Sequence, residues 1–327
     1  MFFKILSIYL LPFTLLYLAV IYLKKCFIRE NKLSVPVISV GNITAGGTGK
    51  TPLVMYIAEF FQRQEKRVIV ACSGGAERKK IARGIKLEDE ALMVKKNFPK
   101  AILTAKKSGA IKKEIFGDNK EIVILDDGFH CHCFYKDLNI LLVDMTNPFD
   151  NNMVLPSGLL REPKRELQRA DIFVLSHYNA SDSLNYGRYT KYLQQFKKPI
   201  FTMEYKIESL RNNGQEISPA SVKNKVVLSF AGIGHPFNFF SLLSALSPSK
   251  IYGVIYPDHF CYKRQDVAEL EDAFLEKKAE FLITTEKDYV KLKRYEWRVP
   301  VSYLRIKPML KNINGDGFDT LLLDIVE

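Results

Sequence analysis

The stretch from Val35 to Phe61 limits what this chain can fold into more than any other part of it. Val35-Pro36-Val37-Ile38-Ser39-Val40 is a β-branched run that reads as a buried strand. It empties into Gly41-Asn42-Ile43-Thr44-Ala45-Gly46-Gly47-Thr48-Gly49-Lys50-Thr51, and a helical pattern follows through Pro52, Leu53, Val54, Ile57, Ala58 and Phe61. Strand, glycine-rich turn and helix in that order is the context of a phosphate-binding loop. The glycines let backbone N–H groups converge on a phosphate, and the helix N-terminus adds a favourable field. Thr44, Ala45, Gly46, Gly47, Thr48, Gly49, Lys50 and Thr51 are therefore the candidate nucleotide loop. Lys50 is expected to reach the β- and γ-phosphates of ATP, and the Thr51 hydroxyl to ligate Mg²⁺. One departure from the strict pattern is Thr44, which stands where the first glycine belongs.

Such a loop needs an acidic group at the end of a neighbouring strand. Glu121-Ile122-Val123-Ile124-Leu125-Asp126-Asp127 supplies four apolar residues and then two carboxylates, so Asp126 and Asp127 are the expected Mg²⁺ partners. Further strands are expected near Arg67–Cys72, Ala101–Thr104, Leu138–Asp144 and Asp171–Ser176, with helices between several of them. That alternation predicts an α/β fold, a P-loop NTPase-like domain on a mostly parallel sheet. A polar stretch at Arg211–Asn224 reads as a linker to a second, smaller α/β domain. There, strands are expected at Lys225–Phe230, Lys250–Ile255 and Glu280–Thr285, and helices at Phe237–Leu246 and Arg264–Lys278. At 327 residues the chain is long enough for two domains, and no internal repeat is visible. The expected division is 1–30 as a membrane-associated segment, 31–215 as the P-loop domain and 216–327 as the smaller domain.

Residues Ile5–Leu23 carry no charge. As a helix they would run about 28 Å, close to the thickness of bilayer hydrocarbon. A cleaved signal peptide is disfavoured, because Leu23 runs directly into Lys24-Lys25-Cys26 without a small-x-small site. The same two lysines exclude a lipobox at Cys26. An N-terminal membrane helix is expected, kinked by Pro12, with spanning and monotopic insertion both open. Lys24, Lys25, Arg29 and Lys32 outnumber Lys4, which puts the rest of the chain on the cytoplasmic side.

The formal net charge of +12 suits an anionic partner. No RNP-type strand, recognition-helix pattern or zinc-finger spacing is present, so no nucleic acid partner is expected. Five cysteines, Cys26, Cys72, Cys131, Cys133 and Cys261, lack framework spacing and indicate reduced thiols.

Read in order, the motifs resemble the lipid A 4′-kinase (tetraacyldisaccharide 4′-kinase) family. The matching pieces are GNITAGGTGKTP at Gly41–Pro52, DEA at Asp89–Ala91, LDDGF at Leu125–Phe129 and LPSGLLREP at Leu155–Pro163. To these are added AGIGHPFNFF at Ala231–Phe240, PDH at Pro257–His259 with Tyr262, and TTEKDYVKL at Thr284–Leu292. The resemblance implies transfer of the γ-phosphate of ATP to the 4′-hydroxyl of a tetraacyldisaccharide 1-phosphate, giving lipid IVA. It implies ATP and Mg²⁺ as cofactors, a lipid disaccharide substrate and an inner-leaflet membrane surface as partners, and the inner membrane as location; a monomer is expected. It also implies Asp89 as general base paired with His259, and Arg161 as a phosphate contact. By themselves, Asp89 would pass for an acidic residue at a helix start and His259 for an ordinary histidine. The disaccharide is expected in a cleft between the two domains.

Four places depart from the family pattern. After LDDGF the family continues Gln-His-Arg-Arg, whereas this chain has His130-Cys131-His132-Cys133. Adjacent residues of an extended chain point to opposite faces, so at most two of these four could share an ion. After Cys72 the family's Ser-Arg-Gly-Tyr is replaced by Ser73-Gly74-Gly75-Ala76, Glu88 replaces a glycine, and Phe260 stands where a second histidine often follows His259. Two other classes fit parts of the sequence. A membrane-associated ATPase switch would carry an extra lysine early in the loop, and Gly41–Thr48 has none. A binding protein that keeps the fold without turnover is suggested only by the altered His130–Cys133 segment.

Overall fold

A computed structural model describes residues 9–72, 89–98, 102–105, 108–115, 121–177, 183–212, 215–313 and 317–325. The described chain divides into two compact units. The first comprises residues 1–87, 98–204 and 309–327, the second residues 88–97 and 205–308. Neither is contiguous: the segment that opens at Asp89 groups with the second unit, and the C-terminus returns to the first.

In the first unit the strands are β1 (Val37–Asn42), β2 (Arg67–Cys72), β3 (Ile102–Ala105), β4 (Glu121–Asp126), β5 (Leu138–Asp144), β6 (Ile172–Ser176) and the start of β7 (Ile200–Asn212). Their spatial order is β7-β6-β5-β1-β4-β2-β3. All the pairings among them are parallel. A parallel sheet is covered on both faces, which is why β1 and β4 are buried at every position and read as unbroken apolar runs. The chain fills one side of β1 with β2, β3 and β4 and then crosses to fill the other with β5, β6 and β7. Ligands of open α/β sheets bind at the carboxyl ends of the strands beside such a crossing point. Here that point is the end of β1, in register with Asp126 of β4 and flanked by β5.

The helices of this unit are α1 (Leu11–Phe27), α2 (Lys50–Arg63), α4 (Ser108–Lys112), α5 (Ser183–Gln194) and α9 (Phe318–Leu323); α3 (Asp89–Asn97) belongs to the second unit. Pro12 lies in the first turn of α1, where its missing N–H goes unused. Thr14, Tyr17 and Lys25 face the protein. The Thr14 and Ser157 hydroxyls are 2.6 Å apart, and Tyr17 donates to the Arg161 carbonyl at 3.1 Å. Lys25 ion-pairs with Glu162 at 2.9 Å and with Glu166 at 2.8 Å. The other side of α1 exposes Phe13, Leu15, Leu16, Val20, Tyr22, Leu23 and Phe27. Among the described residues, no helix is long and apolar enough to cross a membrane.

The second unit orders its strands β10 (Lys250–Ile255), β9 (Val226–Ala231), β11 (Phe281–Thr285), β12 (Val301–Asn312) and the later part of β7. The pairings of β9 with β10 and β11, and of β11 with β12, are parallel. Helices α6 (Pro236–Ser244), α7 (Arg264–Glu276) and α8 (Glu286–Leu292) connect them. The polar stretch Arg211–Asn224 is not a free linker. It closes a hairpin in which Leu210 pairs with Ile217 of β8 (Gln215–Ile217), and a 3₁₀ turn over Pro219–Val222 buries Val222.

Below α8 lies a buried ionic knot. Asp288 is fully buried and accepts from the Gly232 N–H at 2.8 Å and from the Thr285 hydroxyl at 2.8 Å. Lys291, one turn on, pairs with it at 2.7 Å. Thr285 caps the helix by accepting from the Asp288 N–H at 3.1 Å. Burial, with the Asp288 charge added, pushes the Tyr262 phenol well above its ordinary range. The motifs around Gly232, Tyr262 and Thr284–Leu292 thus converge on one structural pin.

Candidate active site

The loop leaving β1 is held open by specific contacts. Thr44 forms an antiparallel bridge with Leu160, and the Ala45 N–H donates to the Leu159 carbonyl at 2.7 Å. The Arg161 N–H donates to Ile43 O at 2.8 Å. Residue 44 is therefore an extended bridging residue, a conformation that threonine favours, and a glycine is not needed there. Gly49, at φ +83°, does need to be glycine: it turns the chain in the left-handed region into the first residue of α2, Lys50. Gly41 is required for another reason. A Cβ there would sit 2.5 Å from the Phe129 Cβ, because the loop after β4 crosses directly over the end of β1.

This crossing brings the charged groups together. Lys50 donates to Asn42 Oδ1 at 3.0 Å and lies 3.6 Å from Asp127 Oδ1. Arg161 Nη1 donates to Asp127 Oδ2 at 2.8 Å. Burial lowers the Lys50 ammonium below its ordinary value, against the opposing pull of Asp127. The buried Asp126 precedes Asp127 at the strand end, and Asp127 is left-handed at φ +54°. The Thr48 hydroxyl is buried with no hydrogen-bond partner among the described residues. A buried polar atom in a glycine-rich cradle suits a phosphate oxygen, and the hard oxygen set of Thr51, Asp126 and Asp127 suits Mg²⁺.

Behind Arg161 stands Glu162, a buried carboxylate in contact with four partners. Oε1 lies 2.6 Å from His130 Nδ1 and 3.2 Å from His132 Nε2; Oε2 lies 2.9 Å from Lys25 Nζ and 2.6 Å from Arg169 Nη2. Burial alone would raise this carboxyl, but the two histidine hydrogen bonds and the Arg169 charge outweigh it and hold it far below the carboxylate range. The segment after LDDGF alternates as expected, with both histidines turned to Glu162 and both cysteines packed in the cluster around Ile69, Leu125 and Phe134. The sequence reading assigned no role to Glu162. Its signal was a glutamate embedded in LPSGLLREP just ahead of Lys164, Arg165 and Arg169, since a glutamate buried there requires cations.

Asp144 was missed as well. It ends β5 as Asp126 ends β4, and its Oδ1 lies 3.2 Å from His177 Nδ1 and accepts from the Thr146 hydroxyl at 2.7 Å.

The remaining expected residues belong to the second unit. His259 is exposed at φ +57°, with Nε2 3.4 Å from Lys287 Nζ and 3.8 Å from Asp258 Oδ2. Asp89 opens α3; its side chain lies outside the described residues, as do Glu88 and Ser73–Arg78. The far end of α3 is pinned within its own unit, Lys96 pairing with Glu286 at 2.9 Å and lying 3.6 Å from the Tyr303 ring centroid.

A phosphate loop at the crossing point of a parallel sheet, with lysine, arginine and paired carboxylates converging on it, defines a P-loop phosphotransferase or NTPase. Residues 6–327 match the family model for LpxK, tetraacyldisaccharide-1-P 4′-kinase, and the chain belongs to that family. A tetraacyldisaccharide 4′-kinase of Syntrophobacter fumaroxidans is 34% identical over 83% of this chain and 75% of its own length. The enzyme of that name from Aquifex aeolicus is 33% identical over 88% of this chain and 90% of its own length. A crystal structure of LpxK from Aquifex aeolicus in complex with ATP superposes with a TM-score of 0.70 at 29% identity, covering 98% of this chain and 100% of that one.

Proposed function

We propose that the protein transfers the γ-phosphate of ATP to the 4′-hydroxyl of a tetraacyldisaccharide 1-phosphate, the lipid IVA-forming step of lipid A synthesis. The observation that carries this reading is the convergence of Lys50 and Arg161 on Asp127 beside the phosphate loop, in a chain of this family. Phosphoryl transfer asks the protein mainly for positioning and charge neutralisation. Backbone N–H groups of Gly46–Lys50 and the Thr48 hydroxyl hold the phosphates. Lys50 and Arg161 balance the negative charge on the transferring group, and each is steered by Asp127. Mg²⁺, when held by Thr51, Asp126 and Asp127, supplies further charge neutralisation. Asp89 is assigned as the general base for the acceptor hydroxyl, with His259 orienting it or sharing the proton.

We further infer that α1 lies along the inner leaflet, with the catalytic units on the cytoplasmic side. The support is one face of α1 tied to Ser157, Arg161 and Glu162 while its opposite face is apolar and exposed, next to the exposed Lys24. That pattern suits an in-plane amphipathic anchor better than a spanning one. A monomer suffices, because one chain supplies every group named. The deciding experiment is a detergent assay with radiolabelled ATP, magnesium and tetraacyldisaccharide 1-phosphate, comparing wild type with Lys50→Ala and Asp89→Ala. Label in the lipid, lost in both variants, supports the assignment; phosphate release without lipid labelling overturns it. Flotation with anionic vesicles tests the anchor: wild type should float and Leu16→Glu/Val20→Glu/Leu23→Glu should not.

A further inference from the structure

The segment His130–Cys133 replaces a run that contains no cysteine in the family pattern, and its geometry is not that of two incidental thiols. The chain turns here: the Cys131 N–H donates to Gly128 O at 2.9 Å, directly after Asp127. That turn sets Cys131 Sγ and Cys133 Sγ 2.8 Å apart. A disulfide bond is about 2.05 Å long, so the sulfurs need to close by only about 0.8 Å. Both side chains are partly exposed, unlike the buried Cys72, so a small oxidant can reach them. Their backbone is anchored on the far side, where Asn31 N–H and Nδ2 donate to Cys133 O at 3.0 and 3.2 Å. The single residue enclosed between the sulfurs is His132, which holds Glu162 at 3.2 Å and Arg169 at 3.0 Å.

We propose that Cys131 and Cys133 form an oxidisable dithiol whose closure to a disulfide lowers phosphoryl transfer by re-aiming His132 and loosening the Glu162 cluster behind Arg161. The oxidant class is a low-molecular-weight disulfide. The Cys131 thiolate attacks one sulfur of that disulfide, breaking its S–S bond and releasing one thiolate. The Cys133 thiolate then attacks Cys131 Sγ in the mixed disulfide, expelling the second. Two thiols lose two electrons and two protons; the external disulfide gains them as two thiols. The hydrogen bond to Cys131 comes first, with burial second, in holding the Cys133 proton well above the ordinary thiol value, which leaves Cys131 as the attacking sulfur. The Lys136 ammonium acts against that rise and so favours thiolate at the pair.

The bond, once made, is transmitted through contacts within the first unit. Closing the ring fixes the turn around His132, and His132 shares Glu162 with His130, Lys25 and Arg169. Glu162 is bonded in sequence to Arg161, the partner of Asp127. A displacement of about 1 Å at a positioning group is enough to cost up to about 10²-fold in rate.

The test uses the full chain with Cys26→Ser and Cys261→Ser, which remove the two exposed thiols. Incubation with glutathione disulfide, alkylation of remaining thiols and peptide mass mapping should show loss of two hydrogens in the peptide that holds Cys131 and Cys133, with Cys72 alkylated only after unfolding. Phosphate transfer should fall on the order of tenfold and return with dithiothreitol. Cys133→Ser should retain the reduced protein's turnover, take up glutathione at Cys131 and give no internal disulfide. Independent glutathione adducts on both cysteines of the parent, or a mapped disulfide with unchanged transfer, overturn the proposal. Mapping needs no activity and no variant at the pair, so a reduced protein that fails to label lipid counts against the kinase reading and not against the dithiol.

Discussion

Replacing Asp288 separates a structural from a chemical role for the motif Thr284–Leu292. The carboxylate is fully buried and sits against Lys291, itself only 4% exposed, at 2.7 Å. Removing one partner of such a pair leaves an uncompensated buried charge and costs about 3–5 kcal/mol. Asp288→Ala also orphans the Gly232 N–H and the Thr285 hydroxyl, but these losses share one cavity and do not add. A total of about 4 kcal/mol is therefore expected, or roughly 8–16 °C of melting temperature at about 2–4 °C per kcal/mol. The chain offers a convenient reporter, because its single tryptophan, Trp297, packs in the same cluster as Tyr262 and Leu292. Urea unfolding followed by its fluorescence reads the second unit directly. Lys291→Met added to Asp288→Asn should recover most of the loss, since no uncompensated charge stays buried and the new amide oxygen can still accept from the Gly232 N–H and the Thr285 hydroxyl. A loss below about 1 kcal/mol for Asp288→Ala, or no recovery in the double variant, would refute the argument. Abolished phosphate transfer at undiminished stability would do so too, by giving the motif a chemical role.

Arg161→Ala should lower turnover about 10²–10³-fold with a smaller change in ATP affinity, measured by steady-state kinetics against nucleotide binding. Gly41→Ala should destabilise the first unit by about 1–3 kcal/mol in thermal unfolding, because its new Cβ meets the Phe129 backbone and Cβ rather than a flexible side-chain end. Lys136 gives a pH signature. Burial, helped by the nearby Arg169 charge, lowers its ammonium from 10.5 to about 8. Between those values the unfolded chain binds the proton and the folded one does not, so this group's penalty is full below about pH 8 and is relieved as pH rises towards 10.5. Lys136→Gln should accordingly raise stability at pH 7 relative to wild type and flatten the dependence across that window, read by urea midpoints at several pH values.

The first unit was legible because its strands are buried on both faces. β2 and β5 have the bounds read from their apolar runs, and the two carboxylates at the end of β4 were evident from charge following an apolar run. What the sequence concealed was non-local. Strands β7 and β12 each begin with four buried residues and have residues in both units, so neither periodicity nor composition marks where one unit gives way to the other. The bridge of Thr44 to Leu160 could not have been foreseen either; it depends on a segment more than a hundred residues later in the chain.

That same segment accounts for the arrangement of the site. Leu155–Pro163 reaches the phosphate loop through Thr44 and Ala45, the β4 carboxylates through Arg161, helix α1 through Ser157 and Lys25, and the cysteine turn through Glu162. Each of these contacts fixes a group that would otherwise lie on a loop, where side-chain entropy opposes order. A buried carboxylate with four partners is an unfavourable place to lose charge, so its cluster moves as a unit. The consequence is that helix α1, the phosphate loop and the cysteine turn share one structural element. Changes at the outer two should reach turnover through Arg161 without touching nucleotide.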